Sequence, residues 1–457
     1  MPIEFSKHPS SYRDPSGFLF YYNGILYRQV NLVFKNDFDL FISGGLYQKL
    51  VEKNMLIAHQ TLRENLTGSP DCYATLQPEF IPFISYPYEW CFDMLRDAAL
   101  VTLEAAREAL KFGMMLKDAS AYNIQWQNGK MKFIDSLSFE IYKEEEPWIA
   151  YRQFCQHFFA PLALMHYLKK PMQELLLAYP EGIPLDLASQ LLPFKSRFNI
   201  HAYLHLHLQK SVAMENNRKK QQAFSKQKML NLLRSLEEGI RGFSLKHPSG
   251  PWSGYYEEAC QREGYLEEKK NIIEGWTSKL SFDSALDLGA NEGAFSELIS
   301  LPGRRIISVD LDHYSINRLY QKTKTKNNSR LLPLVLDISK PSPAIGANNE
   351  ERSSFFDRCQ VDLVMALAVL HHLAIGKNMS FAIIAETFRR LGKNLIVEFI
   401  PKEDEKVQNM ISQKKDVYGW YTKENFLSIF SSVFNVMEEK EISGSKRILY
   451  LMQRHER

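Results

Sequence analysis

The second half of this chain predicts a doubly wound α/β sheet, and the first half an α+β domain set before it. Three observations carry that reading. The apolar segment Ala285-Leu286-Asp287-Leu288 runs into the turn Gly289-Ala290-Asn291-Glu292-Gly293. Further short apolar runs recur at 306–309, 334–336, 361–366 and 394–399, with helical patterns between them. Carboxylates, Asp310 and Asp337, follow the second and third of these runs. Unbroken apolar runs suit parallel strands covered on both faces, and strand alternating with helix is the pattern of a doubly wound sheet.

Each element of that half has a local reason. Glycine at 289 and 293 lets the backbone pass close to a ligand that any Cβ would push away. The spacing is G-x-N-x-G, not the G-x-G-x-x-G of a dinucleotide loop, so no pyrophosphate needs cradling. Asn291 stands where a left-handed conformation is expected, which Asn tolerates best after Gly. Asp310, with Leu311 beside it, is placed to accept both hydroxyls of a ribose. Asp337, with Ile338 beside it, is placed to accept from an adenine amino group. Taken singly, a strand-end Asp equally forms a turn or caps a helix. In this order the set Asp287, Gly289, Ala290, Asn291, Gly293, Asp310, Leu311, Asp337, Ile338 and Ala366 reads as a nucleoside site for S-adenosyl-L-methionine. Helices are expected at 294–300, 313–324, 380–391 and 422–431. The final strands, 434–438 and 447–452, are joined by Ile442-Ser443-Gly444-Ser445, too short for a parallel crossover, so they should pair antiparallel. This Rossmann-like, seven-stranded ending resembles that of class I methyltransferases.

Composition frames the whole. A chain of 457 residues exceeds one ordinary hydrophobic core, so two domains are expected. Hydrophobic residues at 45% and a net charge of +3 describe an ordered protein without the basic stripe that grips nucleic acid, which disfavours an RNA substrate. The five cysteines, Cys72, Cys91, Cys155, Cys260 and Cys359, are widely spaced and form neither a metal motif nor a disulfide framework. A cytoplasmic location follows, since no apolar leader is visible and no run of about 18 apolar residues could span a membrane.

In the first half, Asn23-Gly24 between apolar runs predicts a hairpin, and Asn128-Gly129 a second one. Helices are expected at 38–52 and 92–112, the latter with Leu95, Ala99, Leu103, Ala106 and Leu110 on one face. Asp118, Asn123 and Asp135 follow the order of the catalytic loop and metal-binding strand of kinases and aminoglycoside phosphotransferases. In that chemistry one Asp orients an acceptor hydroxyl, while the Asn and second Asp hold magnesium with ATP. The departures are that no glycine-rich loop precedes the first hairpin, Asp135-Ser136-Leu137 replaces Asp-Phe-Gly, and Arg28 is the nearest counterpart of the strand lysine. A kinase-like fold that binds or positions something is therefore favoured over a working kinase, with turn capping as the plain alternative. His201 and His205 would share a helix face near His207, a metal-ligand spacing, but without a nearby carboxylate a partly buried amphipathic helix is the favoured reading. No other metal site is expected. The divisions read from the sequence are 1–210, a linker with an amphipathic helix at 211–245, and 246–457.

Longer stretches, Ile84-Ser85-Tyr86-Pro87-Tyr88-Glu89-Trp90, PWIAYRQFCQHFFA from Pro147, GIPLDLASQLLP from Gly182, LAVLHHLAIG from Leu367 and EFIPK from Glu398, resemble a bacterial family of two-part methyltransferases to which the rhizobial nodulation host-specificity methyltransferase is similar. The resemblance implies methyl transfer from S-adenosylmethionine to an acceptor it does not identify, a small molecule or saccharide being favoured. In-line displacement at a sulfonium needs alignment and exclusion of water more than catalytic side chains. His371 and His372 stand at the rim as general base or scaffold, and Glu398 is a second acceptor-side candidate. Trp252, Tyr255 and Tyr256 either cover the nucleoside or pack ordinarily. The contrasting reading is a phosphotransferase or ATP-binding bifunctional protein working through Asp118, Asn123 and Asp135. Oligomeric state is not readable.

Overall fold

A computed structural model describes residues 5–209, 224–245, 264–412 and 416–456. By its contacts the chain forms two units, Met1–Pro248 with Ala344–Ser353, and Ser249–Pro343 with Ser354–Arg457.

In the first unit, strands β1 (Phe5–Lys7), β2 (Gly17–Tyr22), β3 (Ile25–Asn31), β4 (His59–Leu62) and β5 (Cys72–Pro78) form an antiparallel sheet in the order β1-β2-β3-β5-β4. The β2–β3 turn uses Asn23 and Gly24 at φ 51° and 76°, the pair of positive values that a two-residue hairpin of matching twist requires. The single helix expected at 38–52 is two: α1 (Lys35–Ser43) and α2 (Leu46–Glu52). Gly45 sits between them at φ 87°, where the chain breaks the helix and restarts it. Helix α3 (Phe92–Lys111) buries Leu95, Ala99, Leu103, Ala106 and Leu110, as its periodicity predicts. Strands β6 (Met114–Leu116) and β9 (Phe139–Ile141) then pair, and β7 (Ile124–Gln127) pairs with β8 (Lys130–Phe133) through Asn128-Gly129 at φ 52° and 81°.

Helix α4 (Lys226–Gly242) packs on α3 through Met229, Leu233, Leu236 and Ile240, and Arg107 pairs with Glu237 across the contact. Gly239 sets how close it comes, since a Cβ there would lie 2.8 Å from Phe159 and 2.9 Å from His201. Of the residues read as linker, 211–223 lie outside the described residues, as do Lys210, Trp252, Tyr255, Tyr256 and Cys260. Cys72, Cys91, Cys155 and Cys359 are free thiols. Among the described residues no helix is long and apolar enough to cross a membrane.

The second unit opens with α5 (Tyr265–Lys279) and contains a seven-stranded sheet: β10 (Ser284–Leu288), β11 (Arg305–Asp310), β12 (Leu331–Val335), β13 (Val361–Ala366), β14 (Gly392–Phe399), β15 (Phe434–Glu441) and β16 (Ile448–Arg454). Its order is β12-β11-β10-β13-β14-β16-β15. The first five are parallel, with Leu286 of β10 aligned on Ile307 and on Val364, and the last two run antiparallel, as their short connection demands. Helices α6 (Ala294–Ile299), α7 (His313–Thr325), α8 (Phe381–Leu391) and α9 (Lys423–Phe430) fall on the expected segments. Ser380 and Thr422 cap the last two through their side chains. The third strand lies earlier than the apolar run 334–336 suggests and includes Pro333. A proline is tolerated there because β12 is an edge strand, where one amide need not pair. This is the doubly wound, class I methyltransferase-type sheet that the sequence predicts, with a mostly parallel core and an antiparallel ending.

Gly239 yields a stability prediction. Gly239→Val forces side-chain atoms into Phe159 and His201, and overpacking of this kind costs about 1–3 kcal/mol. Urea unfolding should show a lower midpoint for the variant with its far-ultraviolet circular dichroism unchanged.

Candidate active site

The strand order reverses about β10, and ligands of doubly wound sheets bind outside the carboxyl ends of the strands at such a reversal. A cavity of about 360 Å³ lies there. Its wall takes Leu288 and Gly289 from the end of β10, Asp310 and Leu311 from β11, Asp337 and Ile338 from β12, and Leu367, Ala368 and Val369 from β13. Asn291, His372 and Lys377 also line it. The volume falls within the roughly 300–1,000 Å³ of small-molecule sites.

The glycine turn is built as expected but for a different reason. Asn291 has φ 49°, the left-handed value anticipated for it. Gly289, at φ 70°, would place a Cβ 2.4 Å from Val369 Cγ2, and Gly293, at φ 79°, would place one 2.4 Å from Leu319 Cδ1. Close packing under the loop, not approach of a ligand alone, therefore excludes side chains at both positions. Glu292 turns away from the cavity to pair with Arg318 at 2.6 Å and Lys322 at 2.5 Å on α7.

The three strand-end aspartates sit in three environments. Asp287 is buried behind the wall, and its Oδ2 accepts from Ser296 Oγ at 2.5 Å, which in turn accepts from Ser308 at 2.8 Å. Burial, with Asp310 nearby, pushes its carboxyl up to about 7 despite the Ser296 hydrogen bond. Asp310 lines the cavity and accepts from the Asn291 amide at 2.9 Å and the Asp312 amide at 2.8 Å, so it holds the glycine turn and the next turn together. Burial raises its carboxyl above the ordinary range. Asp337 accepts from Lys377 Nζ at 2.9 Å and from Ser339 Oγ at 2.6 Å. Burial opposes its charge, but Lys377 and Ser339 outweigh it and hold the carboxyl below the ordinary range.

Ala290, Gly293 and Ala366 stand behind the wall with Asp287, and the lining of β13 begins one residue on, at Leu367. Ala368 adopts φ 55°, an uncommon value for a residue with a Cβ, stored at the cavity edge where backbone strain tends to mark function. Leu311 keeps 59% of its surface exposed at the mouth, an apolar side chain positioned to cover a flat ring. Val369 and Lys377 escaped the sequence reading, and no local pattern marks either of them.

His371 and His372 stack with centroids 4.1 Å apart, but only His372 lines the cavity. His371 is buried, and its Nδ1 has no hydrogen-bond partner among the described residues. Burial drives the His371 imidazole far below its ordinary range and pushes His372 down to about 4, so both are neutral at physiological pH. Glu398 is fully buried and accepts from Tyr265 Oη at 2.6 Å and Lys269 Nζ at 2.6 Å, with Arg447 at 3.8 Å. Burial opposes its charge, yet Lys269 and Arg447 hold its carboxyl below the ordinary range. Arg447 also grips Asp404, at 2.8 and 3.1 Å. Glu398 is thus occupied by its own chain and lies outside the cavity wall.

In the first unit, Asp118 is half-buried, and desolvation raises its carboxyl, with Ser120, Asp135 and Asn123 as neighbours. Asp135 pairs with Arg28 and accepts from the Leu137 amide at 2.8 Å, while Asn123 donates to Ser138 at 3.2 Å. A guanidinium of the same chain sits on the carboxylate that magnesium would need, so these residues do not fit a bound metal as they stand. Among the described residues no three of His, Cys, Asp and Glu are grouped to hold a metal. His201 Nδ1 and His205 Nε2 converge on the Ser235 hydroxyl at 3.1 and 3.0 Å, and His207 bridges Ser189 and Ser196 at 2.8 Å each. The shared helix face exists, and a serine of α4 takes it up.

Two predictions follow from this geometry. Glu398→Ala leaves Lys269 buried without its anion, while Arg447 keeps Asp404, and should cost about 3–5 kcal/mol in thermal or urea unfolding. The folded carboxyl of Asp287 lies above its ordinary 3.8, so its contribution to stability is complete below 3.8 and is lost as pH rises through about 7. Asp287→Asn should therefore stabilise the fold increasingly from pH 5 to pH 8 in a fluorimetric melt series, and a constant difference across that range would contradict the buried carboxyl.

No family model matches the sequence. The chain is 29% identical over 462 residues to the nodulation protein NoeA of Rhizobium meliloti (strain 1021), covering 98% of this chain and 96% of that protein. The end-to-end rhizobial resemblance read from the sequence is therefore present. Among solved structures, the N-methyltransferase NodS from Bradyrhizobium japonicum WM9 aligns at 17% identity and TM-score 0.32, covering 42% of this chain and 98% of that one. The bifunctional kinase-methyltransferase WbdD aligns at 15% identity and TM-score 0.30, covering 42% of this chain and 39% of that one.

Proposed function

We propose that this protein is an S-adenosylmethionine-dependent methyltransferase whose donor sits at the carboxyl edge of the seven-stranded sheet and whose acceptor is a small molecule or saccharide. The observation that carries the reading is one cavity, at the reversal of strand order, walled by Gly289, Asn291, Asp310, Leu311, Asp337 and Ile338. A carboxylate at the end of the second strand suits a ribose diol, and apolar Leu311 and Ile338 suit a purine. Bound there, the donor supplies a methyl group activated on a sulfonium.

The chain's own contribution is alignment and dryness. Leu367, Ala368 and Val369 present an apolar wall, which suits a reaction in which the positive charge of the sulfonium is spread over donor and acceptor on passing to the transition state. His372, neutral with its imidazole at about 4, accepts a hydrogen bond from an acceptor hydroxyl or amine and orients it; a base that weak is a poor final holder of the proton. Glu398 acts through position only, fixing Tyr265 and Lys269 of α5 to the end of β14.

The first unit recruits the acceptor in this reading. Its support is a second cavity, of about 520 Å³, where the rings of Phe5, Tyr12 and Phe18 meet the polar groups of Asp14, Gln29 and Asn31. Aromatic faces beside carboxylate and amide groups suit the apolar faces and hydroxyls of a sugar.

Titration calorimetry with S-adenosylmethionine and S-adenosylhomocysteine tests the donor site. Asp310→Ala should abolish the heat with both, and Asp118→Ala should leave it intact. Well-folded native protein that gives no heat with either ligand, or a response to ATP and magnesium in their place, overturns the proposal. Labelled S-adenosylmethionine with fractionated extract then reads out the acceptor class.

A further inference from the structure

The first unit carries an exposed apolar patch that methyl transfer does not use. After Pro193 the chain forms a short 3-10 turn, Phe194–Phe198, and these two phenylalanines are 69% and 80% exposed with rings edge to face at 5.6 Å. Ile200 follows at 60% exposure. The turn is built to hold the rings outward. Ser196 is buried between them, donating to the Pro193 carbonyl at 2.7 Å and meeting His207 Nε2 at 2.8 Å, while His207 Nδ1 meets Ser189 at 2.8 Å. Asn199 accepts from the amides of His201 and Ala202 and caps the next helical turn. A contiguous apolar surface fixed in this way marks an interaction site.

The charges select the partner. Lys195 and Arg197 alternate with the rings, and the sequence from 187 to 209 contains neither Asp nor Glu. Arg197 lies over the Phe194 ring at 5.6 Å, so cation and ring share one face. Exposed aromatics interleaved with cations, in a stretch approached by an acid at Glu238 of α4, 3.8 Å from His201 Nε2, complement a surface that is apolar beneath and anionic above.

We propose that this patch docks the protein on an anionic lipid surface, Phe194, Phe198 and Ile200 entering the interface while Lys195 and Arg197 meet headgroup phosphates. Among the described residues no helix can cross a bilayer, so the contact is adsorption. The inference stands independently of the methyl-transfer reading.

Co-sedimentation of the full chain with vesicles of phosphatidylcholine alone, and of phosphatidylcholine with phosphatidylglycerol, tests it. Binding should appear with the mixed vesicles, weaken as salt is raised, and fall about fivefold for each charge removed in Lys195→Gln and Arg197→Gln. Phe194→Ala with Phe198→Ala should abolish it while circular dichroism, melting temperature and S-adenosylhomocysteine binding stay as in the native protein. Equal binding to both vesicle types, equal binding by the double phenylalanine variant, or no binding by the native chain overturns the proposal. So does native self-association that the same variant removes, which would assign the patch to a second copy of this chain.

Discussion

The second unit depends on one buried carboxylate. Glu398 ends β14 with no exposed surface, and a lone anion there would be untenable. Two segments converge on it: Tyr265 and Lys269 from the first turns of α5, and Arg447 from the approach to β16, itself held by Asp404. Replacing such a cluster with apolar groups of equal volume need cost nothing, so its meaning is geometric. It specifies which way α5 enters, because only one register of that helix sets both Tyr265 Oη and Lys269 Nζ on the two oxygens. The carboxyl edge of the sheet, where the cavity opens, inherits its shape from that choice.

The same physics sorts the aspartates along that edge. All three follow apolar strands, and a sequence cannot say how far each is from water. Asp287 finds the hydroxyl and amide of Ser296 and rises to about 7, whereas Asp337 finds Lys377 and falls. Asp310 lies between, with two backbone amides as donors and one face on the cavity. Of the three, it alone combines a cavity-facing carboxylate with partners that leave lone pairs free for a diol.

What the sequence made legible was whatever has a local cause. Asn23-Gly24 and Asn128-Gly129 announce their hairpins because both turn residues need positive φ and few residue types supply it. The antiparallel pairing of the last two strands is legible because their short connection forbids a parallel crossover. The break at Gly45 and the inclusion of Pro333 in β12 were missed for matching reasons: helical periodicity continues across a two-glycine break, and an edge strand excuses a missing amide only once its neighbours are known. The placing of 344–353 with the first unit has no local signal, since it rests on Arg13 at 3.1 Å and Tyr12 at 3.0 Å meeting Glu351 far along the chain. At the site, Gly289, Asp310 and Asp337 line the cavity while Asp287 and Gly293 do not, and which histidine faces it was not legible, because adjacent residues in a wide turn diverge by packing alone.

The pairing of Arg28 with Asp135 constrains any role of the first unit. A carboxylate that coordinates magnesium gains from a divalent charge that arrives with its nucleotide and leaves with its product. A guanidinium on a neighbouring strand is permanent, supplies directional donors and cannot be exchanged. Asp118 compounds this, since its raised carboxyl reflects burial near a second acid and would be drawn back down by a resident metal. The order Asp118, Asn123, Asp135 therefore survives as a spatial cluster whose charge is balanced from within, which suits a unit that holds a partner molecule in place better than one that moves a phosphoryl group.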